Sequence, residues 1–204
     1  MIRVEREDGL RRLILDRPDK ANALTREMLI TLAEQVEAAR EDRDRVLILT
    51  GTGKVFSAGA DLEAAKAGLA TDIVWERLSR GIARFGGLSI AALNGTLAGG
   101  AFGMAIACDV RLAVPGAKFF YPVMKLGYLP QPSDPQRLAE LVGPARAKMI
   151  LMAGQKIEAE EARLWGLVDR IVPAEDMDAA IEGLTADVLA ATAKHVAAIK
   201  ALIR

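Results

Sequence analysis

Two short segments of small residues carry the clearest candidate chemistry in this chain. Residues 56–61 (FSAGAD) and 94–100 (NGTLAGG) each follow an apolar run typical of a β-strand. Both can aim backbone N–H groups into one pocket, where two converging donors stabilise negative charge developing on a carbonyl oxygen. Small residues such as Ala60 and Gly100 let a substrate approach that backbone closely. The sequence therefore predicts an oxyanion hole with one donor from each segment.

Helices are expected to begin in both segments. A helix opening at Asp61 or Leu62, and a second at Gly99 or Gly100, would present free N–H groups and partial positive charge to the same anion. The alternative is that both are tight strand-to-helix turns in which glycine only relieves steric crowding. The residues alone leave both interpretations open.

Other candidate sites fail on residue type or spacing. Residues 51–54 (GTGK) invite a phosphate-loop interpretation, but the glycine spacing is wrong and Val55 stands where a Ser or Thr is needed. Ser57 would need a histidine as base, and the only one, His195, is expected on an exposed helix near the C-terminus. Cys108 is expected to be inert packing. No group of residues has the spacing of metal ligands, so no metal is expected.

The irregular stretch 121–134 is a second place to look for catalytic side chains, because such segments on a rigid scaffold often carry them. Asp134 directly precedes Pro135, which fits a helix N-cap followed by the first helical position. Ser133 and Gln136 have the spacing of a capping box. Local signals thus predict a capping role for Asp134.

Length and composition predict one soluble domain over residues 1–204, and the order of its predicted strands and helices predicts the α/β class, with a core at about 1–172 and a C-terminal helical segment at about 173–204. The chain is 51% hydrophobic, and 27 basic residues balance 27 acidic ones, which argues against nucleic-acid or membrane partners. A single cysteine excludes an intrachain disulfide and favours a reducing, cytoplasmic location. The N-terminus does not resemble a signal peptide, and the apolar stretch 88–108 is interpreted as core.

The apolar pattern predicts strands that alternate with helices. Residues 2–6 and 10–15 form a predicted hairpin around Asp8-Gly9, and Thr25 is expected to cap a helix that runs to about Arg40. Further strands are predicted at 46–50, 88–93, 109–114 and 168–172. Predicted helices lie at 62–85 with a break near Gly68, and at 99–107, 135–141, 144–152, 158–164 and 175 onward. Strand, helix and strand in this order indicate parallel connections.

Taken in order, four segments resemble the crotonase superfamily, also called the enoyl-CoA hydratase/isomerase family. They are residues 15–24 (LDRPDKANAL), 56–62 (FSAGADL), 91–95 (AALNG) with Gly99-Gly100 and Cys108-Asp109, and 162–169 (ARLWGLVD). The resemblance runs from about residue 2 to about residue 200. The combination is specific, whereas no single motif would be.

The resemblance implies a crotonase-like spiral of ββα units with two packed sheets, flanking C-terminal helices, and assembly into trimers or hexamers. It implies an acyl-CoA thioester substrate whose carbonyl oxygen is held by the N–H groups of Ala60 and Gly100, with no cofactor beyond the CoA of the substrate. An enolate-like intermediate would be stabilised there. The implied substrate-binding residues are Lys20, Ala21, Ala58, Ala60, Asp61, Leu62, Glu63 and Gly100.

Departures from the family pattern concern the acid and base. Family hydratases use two glutamates, and the matching positions here are Gly103 and Val123, whose side chains cannot transfer protons. Relatives place acids or bases elsewhere around the hole, which makes Asp134, Tyr121 and Tyr128 hypotheses for this role. Taken alone, both tyrosines are expected to be pocket walls.

Family members usually continue for some tens of residues past this C-terminus, with helices that cover the acyl pocket. The fold is therefore expected to be truncated there, and the pocket to be more open or dependent on a neighbouring subunit. The sequence predicts an acyl-CoA-processing lyase or isomerase with an unusual acid or base. The alternative is a noncatalytic acyl-CoA-binding or assembly protein on the same scaffold.

Overall fold

The computed structural model describes residues 1–203, which form ten strands and ten α-helices. The strands are β1 (Ile2–Glu7), β2 (Leu10–Leu15), β3 (Val46–Gly51), β4 (Val55–Ser57), β5 (Leu88–Leu93), β6 (Thr96–Ala98), β7 (Val110–Ala113), β8 (Lys118–Phe120), β9 (Ile157–Glu158) and β10 (Arg170–Ile171). The helices are α1 (Arg26–Glu41), α2 (Leu62–Lys66), α3 (Val74–Ala83), α4 (Phe102–Ile106), α5 (Val123–Leu126), α6 (Asp134–Val142), α7 (Pro144–Leu151), α8 (Ala159–Trp165), α9 (Met177–Ala190) and α10 (Ala193–Ile203).

A six-stranded sheet has the order β1-β2-β3-β5-β7-β10. The β1–β2 hairpin is antiparallel, and every other pairing in this sheet is parallel, as the alternation of strands and helices predicts. Strand β3 is buried on both faces: Leu47 and Leu49 join the larger apolar core, while Val46 and Ile48 join a second one beneath α9. Its unbroken apolar sequence follows from that position.

A second sheet has the order β4-β6-β8-β9; the resemblance implies two sheets, but the residue pattern did not locate the strands of this one. Its strands are two or three residues long, too short for an alternating pattern to reveal them. Strands β4, β6 and β8 follow β3, β5 and β7 respectively after short turns, and each is followed by a helical segment. This repetition is the spiral of ββα units that the resemblance implies.

The crossing between the two sheets is tight. A Cβ on Gly95 would lie 2.0 Å from the carbonyl oxygen of Lys54, so no side chain fits there. Buried Asn22 ties the preceding loop to this crossing: its Nδ2 donates to the carbonyls of Thr52 (2.9 Å) and Val55 (2.8 Å), and its Oδ1 accepts from the N–H of Arg17 (2.8 Å). These contacts hold the polypeptide close to the strand ends that lead into the candidate site.

Helices α1 and α3 pack on the larger core. Thr25 accepts a hydrogen bond from the N–H of Met28 at 3.4 Å, which confirms the predicted N-cap of α1. Gly68 has a φ of +101° and separates α2 from α3, as its position in the sequence predicts. No helix within residues 1–203 is long and apolar enough to cross a membrane.

Candidate active site

A cavity of about 300 Å³ lies where the two small-residue turns meet α3 and the segment after β8. Ala60 and Gly100, one from each turn, both line it. Trp75, Tyr121 and Val123 line other parts of its wall. The topology thus brings together residues that lie far apart in sequence.

The two turns touch through backbone. Gly59 has a φ of +91°, and a Cβ at this position would lie 3.0 Å from the carbonyl oxygen of Ala98 and 3.2 Å from the Cα of Gly99. A side chain here would force the turns apart. Glycine at position 59 therefore allows both the positive φ and the close approach of the two turns, and this keeps Ala60 near Gly100.

The hydrogen bonding around Ala60 leaves its own N–H free. Leu24 forms a parallel bridge with Ala60, in which the N–H of Leu24 donates to Gly59 and the N–H of Asp61 donates to Leu24, both at 2.8 Å. The N–H of Ala60 therefore faces away from Leu24. No hydrogen bond within residues 1–203 uses the N–H of Ala60 or that of Gly100.

Asp61 fixes the chain as it leaves this turn. Its Oδ1 accepts from the N–H groups of Glu63 and Ala64, and its Oδ2 binds Arg17 at 2.8 Å. The Arg17 hydrogen bond is the main reason why the pKa of Asp61 lies below its usual value. Helices α2 and α4 have only five residues each, so the individual N–H groups matter more here than a long helix dipole.

Trp75 covers Gly100, a contact that the sequence analysis missed. A Cβ on Gly100 would lie 3.2 Å from three atoms of the Trp75 ring. The indole N–H donates to the carbonyl of Leu69 at 2.8 Å, which fixes the orientation of the ring. No local pattern marks Trp75, because its role depends on how α3 packs against a distant turn.

Tyr121 and Asp134 form a buried pair. The hydroxyl of Tyr121 donates to Oδ2 of Asp134 at 3.0 Å and accepts from the N–H of Gln131 at 3.4 Å. The Phe102 ring stacks on Tyr121 with centroids 5.5 Å apart. Tyr121 lines the cavity, whereas Asp134 is only 1% exposed and lies behind it. Burial, followed by the neighbouring Asp134, raises the pKa of Tyr121, so the phenol stays neutral.

The predicted caps at the start of α6 are wrong. Asp134 is itself the first residue of α6, and neither it nor Ser133 makes a side-chain cap. Ser133 Oγ donates instead to Glu76, and Gln136 donates to Glu140 at 2.9 Å, so no capping box forms. Tertiary partners have replaced the local backbone partners that the sequence pattern favours.

The carboxyl of Asp134 fills the space that a side chain at position 103 would occupy. A Cβ on Gly103 would lie 2.7 Å from Oδ1 and 2.9 Å from Oδ2 of Asp134. The chain thus lacks a carboxylate at 103 but places a carboxyl from another element against that position. Val123, the second departure from the family pattern, is a buried wall residue of the cavity.

The environment of Asp134 favours its protonated form. Burial is the largest effect and raises the pKa to about 7, Tyr121 and Arg137 act in the opposite direction, and Glu76 raises it further. Oδ1 has no hydrogen-bond partner within the described chain. A buried carboxyl without a full set of donors is more stable when neutral.

The predicted CoA-binding residues form a largely exposed rim beside the cavity. Ala58, Leu62 and Glu63 lie on it, and the carbonyl of Ala21, next to exposed Lys20, accepts from the N–H of Ala58 at 2.9 Å. Lys66 lines the cavity mouth and was not singled out from the sequence. Its position on the solvent side of a five-residue helix gives no sequence signal.

Ser57, Cys108 and His195, which the sequence analysis rejected as catalytic groups, all lie outside the cavity lining. Buried Ser57 donates to the carbonyl of Asn22 at 2.8 Å and accepts from the N–H of Gly59 at 3.1 Å. Burial raises the pKa of Cys108 to about 12. His195 is exposed on α10. None of these groups lines the cavity that contains Ala60 and Gly100.

We predict that Asp134→Asn gains stability over the wild type as the pH rises. The raised pKa means that the native protein keeps a proton on Asp134 that the unfolded chain releases near pH 4. The contribution of Asp134 to stability is therefore present at low pH and is lost as the pH rises towards 7. Between pH 5 and pH 8 the difference in unfolding free energy should change by about 2–3 kcal/mol in favour of Asn.

Urea unfolding at several pH values measures this difference. Glu140→Gln is the control, because it removes a solvent-exposed carboxyl from the same helix. A difference between Asp134→Asn and the wild type that stays constant from pH 5 to pH 8 would contradict the assignment.

We further predict that Gly103→Ala is destabilising, by about 1–3 kcal/mol, because its methyl group would overlap the Asp134 carboxyl. This sign is unusual, since Gly to Ala inside a helix ordinarily stabilises by about 0.5–1 kcal/mol. In an Asp134→Ala background most of the penalty should disappear. A double-mutant cycle from urea unfolding measures the coupling, and independent, additive effects would refute the overlap.

The comparisons with known proteins extend over nearly the whole chain. A sequence profile of the family described as "Enoyl-CoA hydratase/isomerase" matches residues 5–204. Carnitinyl-CoA dehydratase from Salmonella arizonae is 37% identical over 215 residues, which cover 100% of this chain and 80% of that protein.

Solved structures of similar sequence share the fold. Pseudomonas aeruginosa DspI aligns with a TM-score of 0.90 at 33% identity, over 99% of this chain and 79% of that chain. An enoyl-CoA hydratase/carnithine racemase from Magnetospirillum magneticum aligns with a TM-score of 0.90 at 31% identity, also over 99% and 79%. The chain therefore belongs to the crotonase superfamily, in the enoyl-CoA hydratase/isomerase family of acyl-CoA enzymes.

Proposed function

We propose that this protein binds an acyl-CoA thioester with its carbonyl oxygen at the N–H groups of Ala60 and Gly100 and stabilises the enolate formed there. The main support is that two residues from separate glycine turns line one cavity with unused N–H groups. Donors that point at developing charge in a site sheltered from water commonly supply the largest part of catalysis. Trp75 provides that shelter on the Gly100 side.

The CoA portion would extend over the exposed rim from Lys20 to Glu63. Lys20 and Lys66 offer positive charge for its phosphates, and the small side chains of Ala21 and Ala58 leave room for the nucleotide. Substrate binding would then use the rim for affinity and the cavity for chemistry. No cofactor other than the CoA of the substrate takes part in this scheme.

Proton transfer is assigned to the Tyr121–Asp134 pair. Tyr121 lines the cavity and its hydroxyl contacts Asp134, so a proton given by Tyr121 to the enolate carbon can be replaced from the neutral Asp134 carboxyl. In the reverse transfer, with Asp134 ionised, Tyr121 takes a proton from the α carbon while its own hydroxyl proton passes to the Asp134 carboxylate. A single pair of this kind suits reactions that move one proton, such as isomerisation, better than a two-carboxylate hydration.

The first prediction from this scheme concerns Gly100→Pro, which removes one N–H donor. Exchange of the α hydrogen of acyl-CoA thioesters in D₂O, followed by mass spectrometry, reports enolate formation without requiring the natural substrate. The exchange rate should fall by about 10²–10³-fold. Gly100→Ala, which adds a methyl group against Trp75 but keeps the N–H, is the matched control. Equal rates for Gly100→Pro and Gly100→Ala would eliminate this donor.

The second prediction concerns the acid–base pair. Tyr121→Phe and Asp134→Asn should each lower the exchange rate by about 10²–10⁴-fold while leaving thioester affinity within a few-fold of the wild type. Tyr128→Phe is the matched control, because Tyr128 also lines the cavity but is 39% exposed. A loss in Tyr128→Phe as large as in Tyr121→Phe would transfer the role to Tyr128.

A noncatalytic acyl-CoA-binding protein is the alternative function. It is favoured by the residues at 103 and 123, which carry no carboxylate, and by the burial of Asp134 behind the cavity wall. Calorimetry with CoA and a panel of acyl-CoAs, followed by long incubation and mass spectrometry, separates the two functions. Tight binding with no exchange and no product across the panel would support the alternative.

We also propose assembly into a homotrimer or hexamer. Helix α10 has no buried residue, and its Ile199, Leu202 and Ile203 are exposed, which would be accounted for by contact with another subunit. Light scattering coupled to size-exclusion chromatography measures the mass, and a monomer at micromolar concentration would refute the assembly.

A further inference from the structure

Glu76 is a buried carboxylate on α3 that the proposed reaction does not use directly. Only 3% of the residue is exposed. Its Oε1 accepts from Ser133 Oγ and from Arg80 Nε, and its Oε2 accepts from the N–H of Ser133 at 3.2 Å. A buried charge is expensive unless it is paired and hydrogen-bonded, and both conditions hold here.

These contacts connect α3 to the start of α6. Ser133 immediately precedes Asp134, so Glu76 fixes the backbone from which the Asp134 carboxyl projects. The preceding residue on α3, Trp75, covers Gly100 on the other side of the cavity. One turn of α3 therefore contacts both the proposed oxyanion donor and Ser133, the residue next to Asp134.

The charge of Glu76 acts on Asp134 as well. Burial raises the pKa of Glu76, but hydrogen bonds from Ser133 and Arg80 outweigh it, so the pKa lies below its usual value and Glu76 is anionic at neutral pH. The groups that face Asp134 are Tyr121 after β8, Arg137 on α6, Glu76 on α3 and the bare backbone of Gly103 on α4. Glu76 is the one anion among them, and an anion favours a neutral neighbour.

We propose that Glu76 is a positioning residue that holds the Asp134 carboxyl in place through Ser133 and adds a negative charge to the buried surroundings of that carboxyl. The consequence for activity rests on the proposed role of the Tyr121–Asp134 pair. In that role the donor form of Asp134 is lost as the pH rises. Removing the charge of Glu76 should shift this loss to lower pH.

The test is a titration of Asp134 that does not depend on catalysis. Protein labelled with ¹³C at the aspartate carboxyl carbon is followed by NMR from pH 4 to pH 9, and the Asp134 signal is assigned by its absence in Asp134→Asn. In Glu76→Gln, which keeps the shape of the side chain, the midpoint should fall by about 0.5–1.5 pH units.

Arg80→Gln is the complementary variant and changes an exposed side chain. It removes the cation that compensates Glu76, so the Asp134 midpoint should rise, opposite in sign to the shift in Glu76→Gln. The matched control is Glu37→Gln. Glu37 lies on α1 and pairs at the protein surface with Arg77, which is on α3 like Glu76, so this variant removes an equal charge from a surface ion pair. Its midpoint should equal that of the wild type.

An Asp134 midpoint that is unchanged in both Glu76→Gln and Arg80→Gln would overturn the proposal. If Glu76→Gln does not fold, the midpoint in Arg80→Gln alone tests the proposal, and an unchanged value there overturns it. Should the midpoints shift as expected while Asp134→Asn exchanges α hydrogens at the wild-type rate, the role of Glu76 stands and the proposed acid is wrong. With an active pair, exchange begins with abstraction of the α proton and therefore rises with pH as Asp134 ionises, and in Glu76→Gln this rise should move to lower pH by the same amount as the NMR midpoint.

Discussion

The site depends on the contact between two backbone turns at Gly59 and Gly99. Cβ atoms at these positions would meet the opposite turn at 3.0–3.4 Å, and both glycines have positive φ. Because backbone meets backbone directly, the N–H groups of Ala60 and Gly100 are positioned by main-chain geometry instead of by flexible side chains. Preorganised donors of this kind need little rearrangement when charge develops.

The two-sheet spiral explains why this contact can form. Strands β3 and β5 are neighbours in the large sheet, and their continuations β4 and β6 are neighbours in the small one. The turns that follow β4 and β6 must therefore emerge side by side. Parallel pairing in both sheets places them at equivalent ends, which is a common location for binding sites in α/β folds.

Two buried acidic side chains, Asp134 and Glu76, lie around the two glycine turns and the cavity. Gly103 leaves space that the Asp134 carboxyl occupies, and Glu76 anchors the neighbouring Ser133. Family membership does not specify these contacts, because they involve three separate elements, α3, α4 and the start of α6. Membership supports acyl-CoA chemistry, whereas the reaction depends on this local arrangement of charge and burial.

The sequence by itself determined the parallel sheet, the Thr25 cap, the break at Gly68 and the two glycine turns, because apolar periodicity, capping residues and glycine act over a few neighbouring positions. It did not reveal which residues form the short second sheet, the cover that Trp75 provides, or the partners of Ser133 and Asp134. Local signals predicted a cap at Asp134, yet burial against Gly103 and contact with Tyr121 decided its environment. Only the tertiary structure decides such features, because desolvation and hydrogen bonding between distant elements exist only after the chain has packed.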